Sequence, residues 1–381
     1  MEFFITDSTS AGVATDRNSA TSPGVGDFGP PRATLRGKTV LLVCRPDSLP
    51  LDRNPEGLLT DDTSFDGKAV LVSSFRNEAP FVLEFVAHHK VIGFDEIVVA
   101  SNDCTDGTTE ILEALAAMGV IRHVPCKPPP KSSPQAHAYA QIRKLLPIDR
   151  ADWLMILDAD ELLNIHVGAG RLTDLIAAQE PGVGLVLVHW ATFGSSDHDA
   201  WVDELSSRRF VHRLRTLNGN GLVKSLIRSP KGWRHLSNHH PYGHAAGRLK
   251  IAFAGGLWVE EVAADSVAFG TYRNVKPTVG SFRCAQVNHY ATRTADSFDL
   301  RRERGRGAMP QGKANDRHND DYFRRMSSGS FLDDTILRYA DEVARLLAEY
   351  RHNARLAAAV DAALRHYEAE IARYWQSHGA G

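Results

Sequence analysis

Between residues 69 and 193 short β-branched apolar runs alternate with stretches of helical periodicity, the pattern that builds a parallel sheet wrapped by helices. The strand runs are AVLVSSF (69–75), EIVVAS (96–101), IRHVP (121–125), WLMILD (153–158) and GVGLVLVHWATF (182–193). Residues 78–92 place Phe81, Phe85, His88 and His89 near one helical face. TDGTTEILEALAAMG predicts a helix opened by Thr105 or Asp106 and closed by Gly119, and SPQAHAYAQIRKLL (133–146) predicts another.

The flanks differ. Residues 1–35 are rich in Ser, Thr, Gly, Pro and Ala without period, as in a flexible arm. Residues 36–67 are a turn-rich lead-in with one extra strand candidate, KTVLLVCRP (38–46). Beyond Phe193 the rhythm breaks into His, Arg, Gly and aromatic residues with short strand candidates: GLVKSLIR, RLKIAFA and CAQVNHY. That portion, 194–307, suits a second substrate, and 68–193 the first. Residues 308–381 are a helical region, with Leu332, Ile336, Tyr339, Val343, Leu346 and Tyr350 on one stripe.

In an open α/β sheet, ligands gather at the carboxyl ends of strands near a topological switch point. Three polar clusters stand at such ends: Arg76, Asn77 and Glu78 after the first core strand, SNDCTDG after the second, and DADE after the fourth. Asp158 and Asp160, two apart in extended chain, carry carboxylates on one side within about 7 Å. Unscreened, they repel by roughly 2 kcal/mol at an effective dielectric of 20. A divalent cation reverses that sign, and hard oxygen ligands suit Mg²⁺ or Mn²⁺, which keep positions open for a diphosphate.

Composition narrows the partners. With 44 Lys plus Arg against 46 Asp plus Glu, net charge −2, no global field draws the chain onto nucleic acid. Neither GxxxxGK[ST] nor GxGxxG opens a helix, so a metal would have to hold phosphate instead. The 4 cysteines include no CxxC pair, and neither a signal peptide nor an apolar span long enough for a membrane is present. The expectation is a cytoplasmic protein, with peripheral membrane association left open.

LVSSFRNEAPFVLEFVAHHKVIGFDEIVVASNDCTDGTTEIL, followed by WLMILDADELL, resembles the family-two-like glycosyltransferases of GT-A fold, most closely the branch related to the family-ninety-two galactosyltransferases. HWATFGSS (189–196), RRF (208–210), VKSLIRSP (223–230) and NHYATRTADSFDLRRERGRG (288–307) extend the resemblance, which covers about residues 68–307. It implies a mostly parallel, Rossmann-like sheet flanked by helices, with a C-terminal helical extension. It also implies a metal-dependent, inverting transfer of sugar from a nucleoside-diphosphate donor, UDP-linked, to a carbohydrate or lipid-linked acceptor. Arg76, Asn77, Glu78, Asn102, Asp103, Asp158 and Lys224 would bind the nucleotide sugar. Asp158 and Asp160 would hold Mn²⁺ or Mg²⁺, with the late histidine, His289, as a further ligand. Ser101 and Asn102 stand where family-two enzymes usually carry aspartates that grip the base or ribose.

An inverting transferase needs a carboxylate beside the acceptor hydroxyl. Asp197, Asp199, Asp203 and Glu204 are candidates, with Asp197 and Asp199 favoured because they follow the fifth strand directly. The histidines His235, His239, His240 and His244 suit hydrogen bonding and stacking near the diphosphate or sugar better than a transition-metal site. Two other classes share parts of this pattern. A nucleotidyltransferase making nucleotide sugars should show a Gly-rich loop with a basic residue, which SSFRNEAP is not; a non-catalytic carbohydrate-binding protein has no need of an intact DxD.

Overall fold

The computed structural model describes residues 64–217, 221–275, 281–305 and 318–379, and the backbone of 32–35 and 38–41. The chain divides into two units, 1–44 and 45–381. In the first, β1 (Arg32–Leu35) and β2 (Lys38–Leu41) pair antiparallel, so the strand expected over 38–46 is present in its opening residues. The rest of the arm assigned to 1–35, and the rest of the lead-in as far as residue 63, lie outside the described residues.

The second unit is α/β. β3 (Ala69–Phe75), α1 (Val82–Ile92), β4 (Glu96–Ser101), α2 (Thr108–Ala117), β5 (Arg122–Pro125), α3 (Pro134–Leu145) and β6 (Trp153–Ile156) follow the expected alternation. α1 starts later than residue 78 because 79–81, with Pro80 inside, form a tighter 3₁₀ turn. β4 and β6 flank β3 in parallel, and β5 joins β4 in parallel on its far side. Chain order therefore reverses at β3, and the crevice beyond the carboxyl ends of β3 and β6 is a topological switch point. Within β3, Leu71 enters one apolar layer with α1 and α2, while Val70 and Val72 enter the opposite layer with α3. Cover on both faces is why this strand reads as a continuous apolar run rather than an alternation.

Past β6 the sheet becomes mixed. β7 (Glu161–Ile165) emerges directly from the DADE turn, and α4 (Leu172–Ala177) leads to the long β8 (Val183–Thr192). α5 (Ser206–Arg209) and β9 (His212–Arg213) occupy the following loop, and β10 (Val223–Arg228) then inserts antiparallel between β6 and β8. β11 (Trp233–His235) and β12 (Tyr242–His244) form a small hairpin. β13 (Arg248–Phe253) runs along the first half of β8 and carries β14 (Trp258–Ala263) outside it. β15 (Ala285–His289) runs parallel to the second half of β8 and antiparallel to β7. Strands from both sides of residue 193 thus share one 10-stranded sheet.

α6 (Ala295–Arg304), α7 (Asp320–Ser327), β16 (Phe331–Leu332), α8 (Ala340–Arg351) and α9 (Ala354–His378) complete the chain. Of the expected stripe, Ile336, Tyr339, Val343 and Tyr350 are buried, whereas Leu332 is 58% exposed because it pairs with β9 as part of β16 before the first helical turn. The Asn353 side chain caps α9 and separates it from α8. α9 packs on α2 and α6. At Gly107, φ is +93° and an added Cβ would lie 2.7 Å from the Cβ of Ala363 on α9, so only glycine permits this approach. Among the described residues no helix is long and apolar enough to cross a membrane.

Candidate active site

A cleft opens at the switch point, lined by Arg76 and Glu78 from the exit of β3, Asn102 from β4, and Asp158 to Asp160 from β6. Asn77 adopts φ +52° and exchanges hydrogen bonds with Thr105, its amide donating to the hydroxyl at 3.1 Å and its carbonyl accepting from the Thr105 backbone at 2.9 Å. It ties the two loops together. Asn102 donates to Asp103 at 2.9 Å, and Asp103, also in the left-handed region, is exposed. Arg76 Nε is buried with no protein acceptor, a donor that a ligand oxygen could satisfy.

The carboxylates of DADE diverge. Asp158 accepts from Gln135 at 2.7 Å, from Lys224 at 3.0 Å and from Asn238 at 3.2 Å. Glu161 accepts from the Asp158 backbone amide and pairs with Lys224, both at 2.8 Å. Lys224 is fully buried, so it acts from behind the cleft wall. Its desolvation would discharge it, but Asp158 and Glu161 outweigh that and raise its pKa. Burial, with Asp158 and Asp160 close by, pushes Glu161 well above the usual carboxylate range against the pull of Lys224.

Asp160 is delivered to the far side. His289, at the end of β15, places Nε2 3.4 Å from Asp160 Oδ2, and Arg301 on α6 places Nη1 2.6 Å from the same oxygen. The pairing of His289 with Glu161 across β15 and β7 sets this register. Trp190 stacks on the His289 ring at 3.9 Å and stands 5.6 Å from His239. Burial raises the Asp160 pKa, but Arg301 and His289 overcome it and hold the carboxyl well below its ordinary range. Glu78 pairs with Arg304 at 2.7 Å and with Arg293 at 3.6 Å. Arg304 also donates to the carbonyls of Arg76 and Asn77, at 2.6 and 2.5 Å.

The residues present fit a divalent cation. Asp160, Glu161 and His289 each bring one ligand atom to within 4.8 Å of one another, a hard oxygen and imidazole set suited to Mn²⁺ or Mg²⁺. Glu161 Oε1 is buried without a hydrogen-bond partner, and a cation there would also relieve the crowding of carboxylates. The sequence pattern pairs Asp158 with Asp160 as ligands; among the described residues the converging group has Glu161 beside Asp160, and Asp158 lines the same cleft under three donors.

Asp197 and Asp199 are exposed on the turn after β8, and neither is among the cleft-lining residues. The Asp199 carbonyl accepts from the Asp296 amide at the start of α6. Of the histidine cluster, His239 lines the cleft, while His235 stacks on Tyr242 and His244 packs against Trp233. Gln135, Asn238, Arg273, His318 and Tyr322 also face the cleft and were not foreseen, since each belongs to a segment with no strand-end signal.

No protein-family model and no curated protein matches the chain. Solved structures that align with it include three that cover less than half of it. Residues 1–349 of S. aureus TarS in complex with UDP-GlcNAc align at 13% identity and TM-score 0.30, over 43% of this chain and 46% of that one. The WbbM bifunctional glycosyltransferase apo structure aligns at 14% identity and TM-score 0.27, over 46% and 33%. HddC from Yersinia pseudotuberculosis aligns at 8% identity and TM-score 0.26, over 44% and 80%. The chain thus spans under half the length of TarS that it matches, and likeness of this degree carries no argument about chemistry.

Proposed function

We propose that this chain is a GT-A glycosyltransferase, dependent on Mn²⁺ or Mg²⁺, that moves a sugar from a UDP-linked donor to a carbohydrate or lipid-linked acceptor with inversion. One observation carries the proposal: Asp160 from the DxD turn and His289 from β15 converge at a cleft on the switch point, among arginines suited to a diphosphate. The ordered motifs over residues 68–307 support it. Asn102 and Arg76 take the nucleoside side, Arg301 and Arg304 face the diphosphate, and Asp160, Glu161 and His289 hold the cation. When bound, the cation neutralises charge that builds on the leaving nucleoside diphosphate. Lys224 holds Asp158 and Glu161 in place without touching substrate. Asp197 or Asp199, on the turn after β8, takes the acceptor proton. The branch related to family ninety-two remains the reading of the motifs, and the site of action is the cytoplasm.

A donor screen tests this. UDP, GDP and dTDP sugars, each with Mn²⁺, should raise the melting temperature selectively for the UDP series, because a ligand that binds the native state adds RT ln(1 + [L]/Kd) of stability. A selective rise with another nucleotide series would correct the base assignment, and no rise with any donor would sink the proposal.

A further inference from the structure

We infer that Arg301 is an exchangeable counter-ion: it neutralises Asp160 while no divalent cation is held, and transfers to the donor's diphosphate when the cation takes that oxygen. The inference rests on the metal reading above and extends it to the order in which ligands assemble. Arg301 Nη1 approaches Asp160 Oδ2 to 2.6 Å, the oxygen that also faces His289 at 3.4 Å. A cation coordinated by Asp160 and His289 would share that oxygen with a guanidinium, and two cations so close in a buried setting repel strongly.

Three cations packed around Asp158, Glu161 and Glu78 are fixed in ways that Arg301 is not. Lys224 is 0% exposed between two carboxylates. Arg304 is tied to Glu78 and to two backbone carbonyls. Arg293 is buried over the Phe81 ring. The Arg301 side chain is 23% exposed, lines the cleft, and besides Asp160 donates to one carbonyl, that of Ala291, at 3.0 Å. It has a long flexible stem and faces the cleft. A diphosphate entering the cleft supplies the negative charge that the guanidinium gives up on leaving Asp160.

The consequence is positive coupling between metal and nucleotide, reciprocal in the two binding free energies. The experiment is a calorimetric titration with Mn²⁺, with and without UDP, of wild type, Arg301→Met, Arg301→Gln and Arg301→Lys. Without UDP, Arg301→Met should bind Mn²⁺ about tenfold more tightly than wild type, because the competing charge is gone. UDP, whose diphosphate would itself ligate the cation, should raise Mn²⁺ affinity in all of these proteins, and by about tenfold more in wild type and Arg301→Lys than in Arg301→Met. If Arg301→Met fails to fold, Arg301→Gln carries the same expectation. Equal Mn²⁺ affinity and equal coupling in wild type and the neutral variants would overturn the exchange while leaving the metal site standing. No Mn²⁺ binding by any of these proteins would remove the metal reading, and the exchange with it.

Discussion

His289 Nε2 stands 3.4 Å from Asp160 Oδ2, although one belongs to the end of β15 and the other to the turn after β6. β7 makes the meeting possible, since it leaves the DADE turn and pairs antiparallel with β15 so that His289 lies opposite Glu161. If this pair holds a cation, His289→Ala should raise the Mn²⁺ concentration for half-maximal donor hydrolysis by roughly tenfold or more, the loss of one ligand. A Mn²⁺ titration of donor hydrolysis reads it directly; an unmoved midpoint would leave His289 as a ring packed under Trp190.

Lys224 is the buried cation beneath two carboxylates. Lys224→Met should cost about 3–5 kcal/mol of stability, because removing one member of a buried ion pair leaves the others uncompensated. Adding Glu161→Gln should recover part of that loss. Urea denaturation of the two variants checks it, and a Lys224→Met midpoint equal to wild type would contradict the electrostatic account.

His88 and His89 clamp α1 to β7. His88 Nε2 bonds the Leu163 carbonyl at 2.8 Å, and the Leu163 amide approaches His89 Nε2 at 3.4 Å. Burial lowers the His88 pKa to about 4, against an ordinary 6.5. Between those values the unfolded chain binds the proton and the native one does not, so stability rises with pH across the window and is lost as pH falls from about 6.5 to about 4. His88 alone accounts for on the order of 3 kcal/mol, and His89, also depressed by burial, acts in the same direction. His88→Gln, which keeps a donor toward Leu163, should flatten the stability profile over that range; an unchanged slope would show that other groups control it.

Asp197 and Asp199 are exposed on the turn after β8. Asp197→Asn and Asp199→Asn separate the base from the donor site. The variant that removes the base should lose transfer to acceptor by about 10²-fold or more while keeping hydrolysis of the donor. If both variants transfer as wild type does, the base is neither of them.

The parallel half of the sheet was legible because β3, β4 and β6 are short apolar runs closed by polar residues, and local pattern suffices to find such strands. The antiparallel insertion of β10 between β6 and β8 was not, since GLVKSLIR names a strand but nothing in its own residues selects its neighbours. β7 was missed because ELLNI follows the DADE turn without a break and shows no alternation, all five positions being buried. That omission hid Glu161, which the β7–β15 pairing brings beside His289. Asp160 and His289 were legible from chemical type and placement at strand ends. Gln135 and Asn238 were not, because they reach Asp158 from a helix start and a hairpin loop whose positions depend on tertiary packing.

The central claim is that Asp160 anchors a catalytic cation, and the most direct test is Mn²⁺-dependent hydrolysis of a UDP-sugar donor by wild type and Asp160→Asn. The amide keeps the shape of the side chain but offers one weaker oxygen and no charge. Wild type should turn over only with Mn²⁺ or Mg²⁺, and Asp160→Asn should lose about 10²-fold or more of that rate at any metal concentration while still unfolding cooperatively. An Asp160→Asn protein that hydrolyses the donor at the wild-type rate with the same Mn²⁺ dependence would contradict the account.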